Sequence, residues 1–382
     1  MKCPRCKNED PSWFYKGSKG WYCRRCISFS RVLIEEEMKP IELEEIREGS
    51  EEYVLAYPLS EAQERIGREC AQYSKTSDIL LCCCCGSGKT EMTVYTIAEA
   101  LKMKQRICFA ISRRQVVLEL AQRLQEIFPE ADVIAVCGGH TDRLQADLIV
   151  CTAHQLYRYF QVFDILILDE PDAFPFKGNP VLHAIADTSC KGHKIYLTAT
   201  PDAVLRQRVL DKEMLCLTLN QRPHGHPLPV PAVRIGPTVY LFVSMILWIL
   251  RHREHPRMIF VPTIAKANAM GRILKVLFHG YVCTSKTADR DEVIQKFRSE
   301  KAGLIVATTV LERGVTIPGV DVCVWEADSP VFDEASLIQM SGRVGRTFHK
   351  PDGDCLFLLK QKSLLAERCV RKLKEANRSC DA

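Results

Sequence analysis

The sequence predicts two α/β lobes in tandem, each a doubly wound parallel sheet, behind a small amino-terminal module with four cysteines. Three observations carry that expectation. From residue 78 onward short apolar runs alternate with amphipathic stretches, the pattern of parallel strands joined by helices. A proline-rich segment, PHGHPLPVPAVRIGP at 223–237, interrupts the alternation, which then restarts. Ahead of both stand two C-x-x-C pairs, Cys3/Cys6 and Cys23/Cys26, with sixteen residues between them. At 382 residues the chain exceeds one ordinary core, and its 47% hydrophobic and 26% charged residues are those of a folded chain, not a disordered one.

Residues 1–31 form the cysteine- and aromatic-rich module, in which eight Lys or Arg face only Glu9 and Asp10. Residues 32–55 read as an acidic linker: EEEMKPIELEEIREGSEE has nine Glu against Lys39 and Arg47, with Pro40 and Gly49 as breakers. The first lobe, 56–222, offers DILLCCCC, RICFAIS, DVIAVC, DLIVCTA, DILILDE and KIYLTAT as six buried parallel strands. Helices are expected at EMTVYTIAEALKM and RRQVVLELAQRLQEIF. The proline-rich stretch 223–237 is the expected interlobe linker. The second lobe, 238–382, repeats the pattern with RMIFVPT, GYVCTS, GLIVATT, VDVCVWEA and DCLFLL as strands. Its helices are expected at IAKANAMGRILKVL and DRDEVIQKFRSEK.

The net charge of +5 permits a nucleic-acid partner without requiring one. The start, MKCPRCKNED, lacks the apolar core of a secretory signal. The longest apolar run, TVYLFVSMILWIL at 238–250, would span about 20 Å as a helix, short of the ~30 Å hydrocarbon layer, so a buried helix is expected there instead of a membrane span. Nineteen cysteines scattered through core-like strands indicate reduced thiols and a cytoplasmic setting.

The run Cys82-Cys83-Cys84-Cys85 invites a metal reading, but consecutive strand residues alternate faces and cannot converge on one ion. They are expected to fill the core as small hydrophobes. The next five residues, GSGKT at 86–90, have the composition of a phosphate-binding loop between a strand and a helix. Gly86 and Gly88 let backbone amides curl around phosphate, Ser87 lies in the curl, Lys89 reaches the terminal phosphates and Thr90 holds Mg²⁺. The fuller G-x-x-x-x-G-K-[ST] pattern would want Gly where this chain has Cys83. About eighty residues on, DILILDEPD ends an apolar strand in Asp169 and Glu170, one carboxylate to orient Mg²⁺ and one to position an attacking water. In the second lobe QMSGRVGRT offers Arg343 and Arg346, three apart on a helix or turn face, as cations for a γ-phosphate.

In this order GSGKT, DEPD, TAT at 198–200, ATTVLERGVTIPGVD at 307–321 and QxxGRxGR at 339–346 resemble the motifs of superfamily 2 helicases and translocases. The resemblance implies two RecA-like lobes sandwiching ATP and stepping along a nucleic-acid strand. It implies that Gly86, Gly88, Lys89 and Thr90 bind ATP and Mg²⁺ and that Asp169 and Glu170 coordinate and catalyse. Thr198 and Thr200 would couple hydrolysis to the strand, which Thr308, Thr309 and Gly314 would contact from lobe two, and Arg343 and Arg346 would be arginine fingers. Gln63 in YPLSEAQERI stands where an adenine-reading glutamine is expected, and Thr316 where many members have Asp. The four-cysteine module, CGSGKTEM, SRRQVVLEL, TAHQLYRYF, DEPDAFPF and TTVLERGVTIPGVDV together resemble, over essentially the whole chain, the late-competence DNA-uptake ATPase (ComFA-like) family of Gram-positive bacteria. That resemblance implies single-stranded DNA as substrate, other competence proteins at the import pore as partners, and a cytoplasmic motor at the inner face of the membrane without a membrane span.

In the module, two knuckles of two thiolates each close a tetrahedral Zn²⁺ site at Cys3, Cys6, Cys23 and Cys26, and no ligand position stays open for substrate. So short a segment needs the ion to fold. With Zn²⁺ bound the module keeps a charge of about +4, interleaved with Trp13, Phe14, Tyr15, Trp21, Tyr22 and Phe29. Such a face suits stacking on unpaired bases, docking a protein, or simply covering the ion. For the whole chain, an RNA or replication-restart helicase and an ATP-gated DNA clamp with slow turnover are the rival readings.

Overall fold

A computed structural model describes residues 1–41 and 52–379. The greater part of the acidic run, 42–51, lies outside the described residues. The chain divides into two compact units, Met1–Cys83 with Gly88–Leu219, and Cys84–Ser87 with Asn220–Ala382.

The first unit opens with an antiparallel hairpin, β1 (Phe14–Gly17) and β2 (Gly20–Cys23), in the register Phe14 to Cys23. Then come α1 (Glu61–Tyr73), β3 (Asp78–Cys83), α2 (Lys89–Met92), α3 (Val94–Lys102), β4 (Ile107–Ile111), α4 (Arg114–Ile127), β5 (Val133–Val136) and β6 (Leu148–Thr152). The unit is completed by β7 (Phe163–Asp169), α5 (Pro180–Ser189), β8 (Cys190–Thr198), α6 (Ala203–Leu210) and β9 (Met214–Leu219). Strands β3 to β9 form one parallel sheet in the order β5-β6-β4-β7-β8-β3-β9. Its central strands are apolar on both faces, as helices on both sides require. Along β3, Ile79, Leu81 and Cys83 join the core on one face and Leu80 and Cys82 the core on the other.

Two expectations change here. The sheet has a seventh strand, β9, an edge strand that leaves Leu215 and Cys216 facing out. The cysteine run is only half strand: β3 ends at Cys83, and Cys84 and Cys85 turn into the loop beyond it. All but Cys82 are buried, and among the described residues they join no metal-binding cluster.

In the second unit the order is β10 (Ala232–Ile235), α7 (Thr238–Arg251), β11 (Arg257–Phe260), α8 (Ile264–Leu277), β12 (Tyr281–Cys283), α9 (Arg290–Ser299) and β13 (Leu304–Ala307). Then come β14 (Asp321–Trp325), α10 (Glu334–Ser341), β15 (Cys355–Leu359) and α11 (Leu364–Arg378). The strands form a parallel sheet, β10-β15-β14-β11-β13-β12. Thus part of the stretch expected as linker, 223–237, is the edge strand β10, because AVRI after Pro231 is proline-free and an edge tolerates the prolines before it. The apolar run at 238–250 is helix α7, but only half of it is covered. Leu241, Met245, Trp248 and Ile249 pack inward, while Val239, Val243 and Leu247 are exposed. Among the described residues no helix is long and apolar enough to cross a membrane.

Candidate active site

Strand β3 delivers the chain to the glycine loop at its carboxyl edge. Gly86 and Gly88 take φ of +82° and +78°, the left-handed region open to glycine at little cost. A Cβ on Gly88 would lie 2.3 Å from Gln63 Nε2, so the loop passes directly under that amide. Gln63 is 2% exposed and held by a capping box: its Oε1 accepts from Ser60 N at 2.9 Å, while Ser60 Oγ accepts from Gln63 N. Gln63 thus packs against the glycine loop from the first turn of α1. Helix α2 starts at Lys89, and α3 continues after a single residue, so the loop leads into helical N–H groups. Lys89 Nζ donates to Cys83 O at 3.0 Å, across the foot of the loop. Amides, an ammonium and a cradle that any side chain would fill suit an anionic phosphate.

Asp169 closes β7, and Glu170 comes next with a φ of +51°. A non-glycine residue in that region is strained, and such strain is held by surrounding structure at functional positions. Here Glu170 N donates to Leu197 O at 2.8 Å, pinning the turn to β8. Asp172, buried at 4% exposure, accepts from Thr198 Oγ1 at 2.5 Å and Thr200 Oγ1 at 2.8 Å. Thr200 N in turn donates to Thr198 Oγ1 at 2.9 Å. DEPD and TAT are therefore one hydrogen-bonded network at the ends of neighbouring strands. The sequence pattern marked both threonines but not Asp172, whose signal is the last position of DEPD set against two hydroxyls. Since β7, β8 and β3 are adjacent, carboxylates, threonines and glycine loop line one edge of the sheet, where open α/β sheets bind ligands.

In the second unit Thr308 is buried and precedes the 3-10 turn Thr309–Leu311, and Gly314 has a φ of +71°. Arg343 is 2% exposed; its Nε donates to Glu312 O at 3.1 Å and its Nη1 to Val315 O. It thereby ties QMSGRVGRT to LERGV. Helix α10 stops at Ser341, so Arg343 and Arg346 lie in the turn after it. Arg346 is half-buried, with Nε donating to Gly342 O at 2.7 Å.

The module brings Cys3, Cys6, Cys23 and Cys26 together, all four sulfurs within 4.8 Å of one another and all buried. Cys3 Sγ lies 3.7 Å from Cys26 Sγ, and Cys6 Sγ 3.7 Å from Cys23 Sγ. Zinc–sulfur bonds of ~2.3 Å in a tetrahedron put sulfurs about 3.8 Å apart, so the donor set fits such an ion. Hydrogen bonds from Cys26 and Cys6 hold the Cys3 thiol down, and the same contacts from Cys3 and Cys6 push the Cys26 thiol up. Against the rest of the unit, Phe29 stacks on His154 and tilts on Tyr157, Arg5 lies over Tyr157, and Thr188 Oγ1 reaches Arg5 O. Phe14 is buried, whereas Trp13 and Tyr15 are exposed. The aromatic set thus divides between packing and surface.

Residues 240–348 match the helicase conserved C-terminal domain family, and residues 53–203 match the family of the type III restriction enzyme res subunit. Among solved structures, yeast (S. cerevisiae) Dbp5 bound to RNA and ADP BeF3 is similar at a TM-score of 0.65 and 21% identity, over 83% of this chain and 87% of that one. RecG bound to a three-way DNA junction is similar at a TM-score of 0.62 and 18% identity, over 87% of this chain and 49% of that one. Those two likenesses concern the fold. Competence protein ComFA of Bacillus subtilis is 33% identical over 98% of this chain and 85% of its own length. Competence protein ComFA of Streptococcus pneumoniae is 32% identical over 98% of this chain and 90% of its own length. With both helicase-type matches falling on its two parallel-sheet units, the chain belongs to the ComFA family, superfamily 2 helicase-like ATPases whose turnover depends on nucleic acid.

Proposed function

We propose that the protein is an ATP-driven single-stranded DNA translocase that draws the incoming strand inward during natural competence. The observation that supports this most is the network joining Asp172 to Thr198 and Thr200, beside the strained Glu170. It gives a route by which a change at the nucleotide alters the main chain after β8. Gly86, Ser87, Gly88, Lys89 and Thr90 hold the phosphates, with Gln63 at the loop reading the base. Bound Mg²⁺, held by Thr90 and Asp169, supplies charge neutralisation at the phosphates. Glu170 orients the attacking water, and Arg343 and Arg346 complete the site when the lobes close on ATP. Closure and reopening move the strand along a path that includes Thr308, Thr309 and Gly314.

A strand drawn from an import pore is already single, so duplex unwinding is not required of this motor. The module's cysteines hold a structural Zn²⁺, and exposed Trp13 and Tyr15 with Lys16 and Lys19 offer a stacking and phosphate-neutralising face to unpaired bases. Other competence proteins at the pore are its partners, and it works in the cytoplasm at the inner face of the membrane.

Steady-state ATP hydrolysis tests the reading, measured without nucleic acid and with single-stranded DNA, duplex DNA or RNA, with Lys89→Ala as the blank. Stimulation by single-stranded DNA, lost in the variant, is expected. A rate indifferent to nucleic acid would promote a DNA clamp, and stimulation mainly by RNA would move the protein to an RNA helicase role.

A further inference from the structure

Arg222 is 2% exposed, and among the described residues its hydrogen bonds all end on main-chain carbonyls. Nε donates to Cys85 O at 2.9 Å, Nη1 to Val344 O at 2.7 Å and to Gly345 O at 2.6 Å, and Nη2 to Gly342 O at 3.2 Å. Every one of these residues belongs to the second unit. Three of the carbonyls come from the turn directly after α10, where a helix leaves its last C=O groups unpaired and its dipole negative. Burial, and next the charge of Arg346, push the Arg222 guanidinium down to about 10. A buried cation without a carboxylate is costly to keep, so the surrounding carbonyl dipoles must offset its lost hydration. A planar fork can span acceptors on several sides at once; a lysine ammonium on its flexible stem cannot.

The neighbours fit the same purpose. His224 Nδ1 accepts from His226 N at 3.1 Å, which leaves the proton on Nε2, 3.0 Å from Gly345 O. Gly345 has a φ of +65°, and a Cβ there would meet Pro351 O at 2.2 Å and Arg222 Nη1 at 3.1 Å. The turn is thus packed to its limit around the guanidinium. Arg346 Nε bonds the carbonyl of Gly342, which Arg222 also holds. Four of the five N–H groups of Arg222 are taken by carbonyls, so its chemistry is that of a clamp on the main chain.

We propose that Arg222 is a positioning residue for ATP hydrolysis: by fixing the carbonyls of Gly342, Val344 and Gly345 it sets the turn that presents Arg346. The proposal rests on the ATPase reading above. Its test is a double-mutant cycle on DNA-stimulated hydrolysis, with Arg222→Lys, Arg346→Ala and the pair. Arg222→Lys should lower kcat roughly tenfold or more while KM for ATP moves less than about threefold, and the pair should be no slower than Arg346→Ala alone. Losses that multiply in the pair, or an unchanged kcat in Arg222→Lys, would overturn it. Should Arg222→Lys fail to fold by circular dichroism, His224→Phe removes one donor from the same turn. It should lower kcat by a few-fold at constant KM, non-additively with Arg346→Ala, and wild-type kcat there would equally overturn the proposal. A wild-type chain without DNA-stimulated turnover would instead sink the ATPase reading, and this assignment with it.

Discussion

Asp172→Asn is expected to separate nucleotide turnover from its proposed coupling to DNA. The carboxylate is buried and takes hydroxyl hydrogen bonds at 2.5 and 2.8 Å from Thr198 and Thr200. Each hydrogen bond to a charged group contributes about 1.5–3 kcal/mol net. Asn keeps one acceptor oxygen but presents an NH₂ where the second was, so one threonine hydroxyl must turn from donor to acceptor and both bonds lose their charge assistance. For a unit of this size 1 kcal/mol corresponds to roughly 2–4 °C in Tm, so a fall of about 3–12 °C is expected. Asp172→Ala, which loses both bonds, should fall about twice as far. The residue is not among those proposed to touch ATP, so basal hydrolysis should stay within about threefold while stimulation by single-stranded DNA drops roughly tenfold. Scanning calorimetry and a coupled ATPase assay read the two effects. Wild-type stability together with wild-type stimulation in Asp172→Asn would mean that the network carries neither load.

The same geometry sets other outcomes. Gly88→Ala places a methyl against the Gln63 amide at a φ of +78°, a backbone cost of about 1–2 kcal/mol before the clash is counted, so KM for ATP should rise roughly tenfold. Gln63→Ala in the same chain should recover part of that loss if the clash is the cause, which ATP titration would show. Glu170→Gln should bind ATP normally, measured by fluorescent-analogue binding, yet reduce kcat by roughly 10²-fold or more, since a neutral amide cannot take up the water's proton. The purified chain should release about one zinc per molecule on thiol modification, detected with a chromogenic chelator. Cys26→Ser should release almost none and expose the first thirty residues to protease.

Much of this was legible in the sequence because parallel strands buried on both faces are written as apolar runs. Ile107–Ile111, Leu148–Thr152 and Asp321–Trp325 are buried at every position and were visible as RICFAIS, DLIVCTA and VDVCVWEA. Edge strands carry less of that signal: β9 leaves Leu215 and Cys216 in solvent, and β10 comes after a run of prolines. The glycine loop was legible because left-handed φ demands glycine, and Gly86 and Gly88 both adopt it. The C-x-x-C pairs were legible because four thiols at that spacing have few other uses, and the four sulfurs do converge. Asp172 and Arg222 were not singled out. Their roles lie in partners 26 to 137 residues away in the chain, which no local pattern marks. The apolar run at 238–250 misled in part: helix formation followed from it, but which residues face solvent depended on the sheet beneath.

Directed movement along a single strand would show in the time the protein takes to reach a fluorescent end of an oligonucleotide. The measurement mixes protein bound to single strands of increasing length with ATP and a trap for rebinding. A translocase gives a lag before the end signal that grows in proportion to length, appears for one end label only, and vanishes with Lys89→Ala. ATP turnover stimulated by DNA with a lag independent of length would contradict directed movement, and would leave the protein a clamp that opens and closes without travelling.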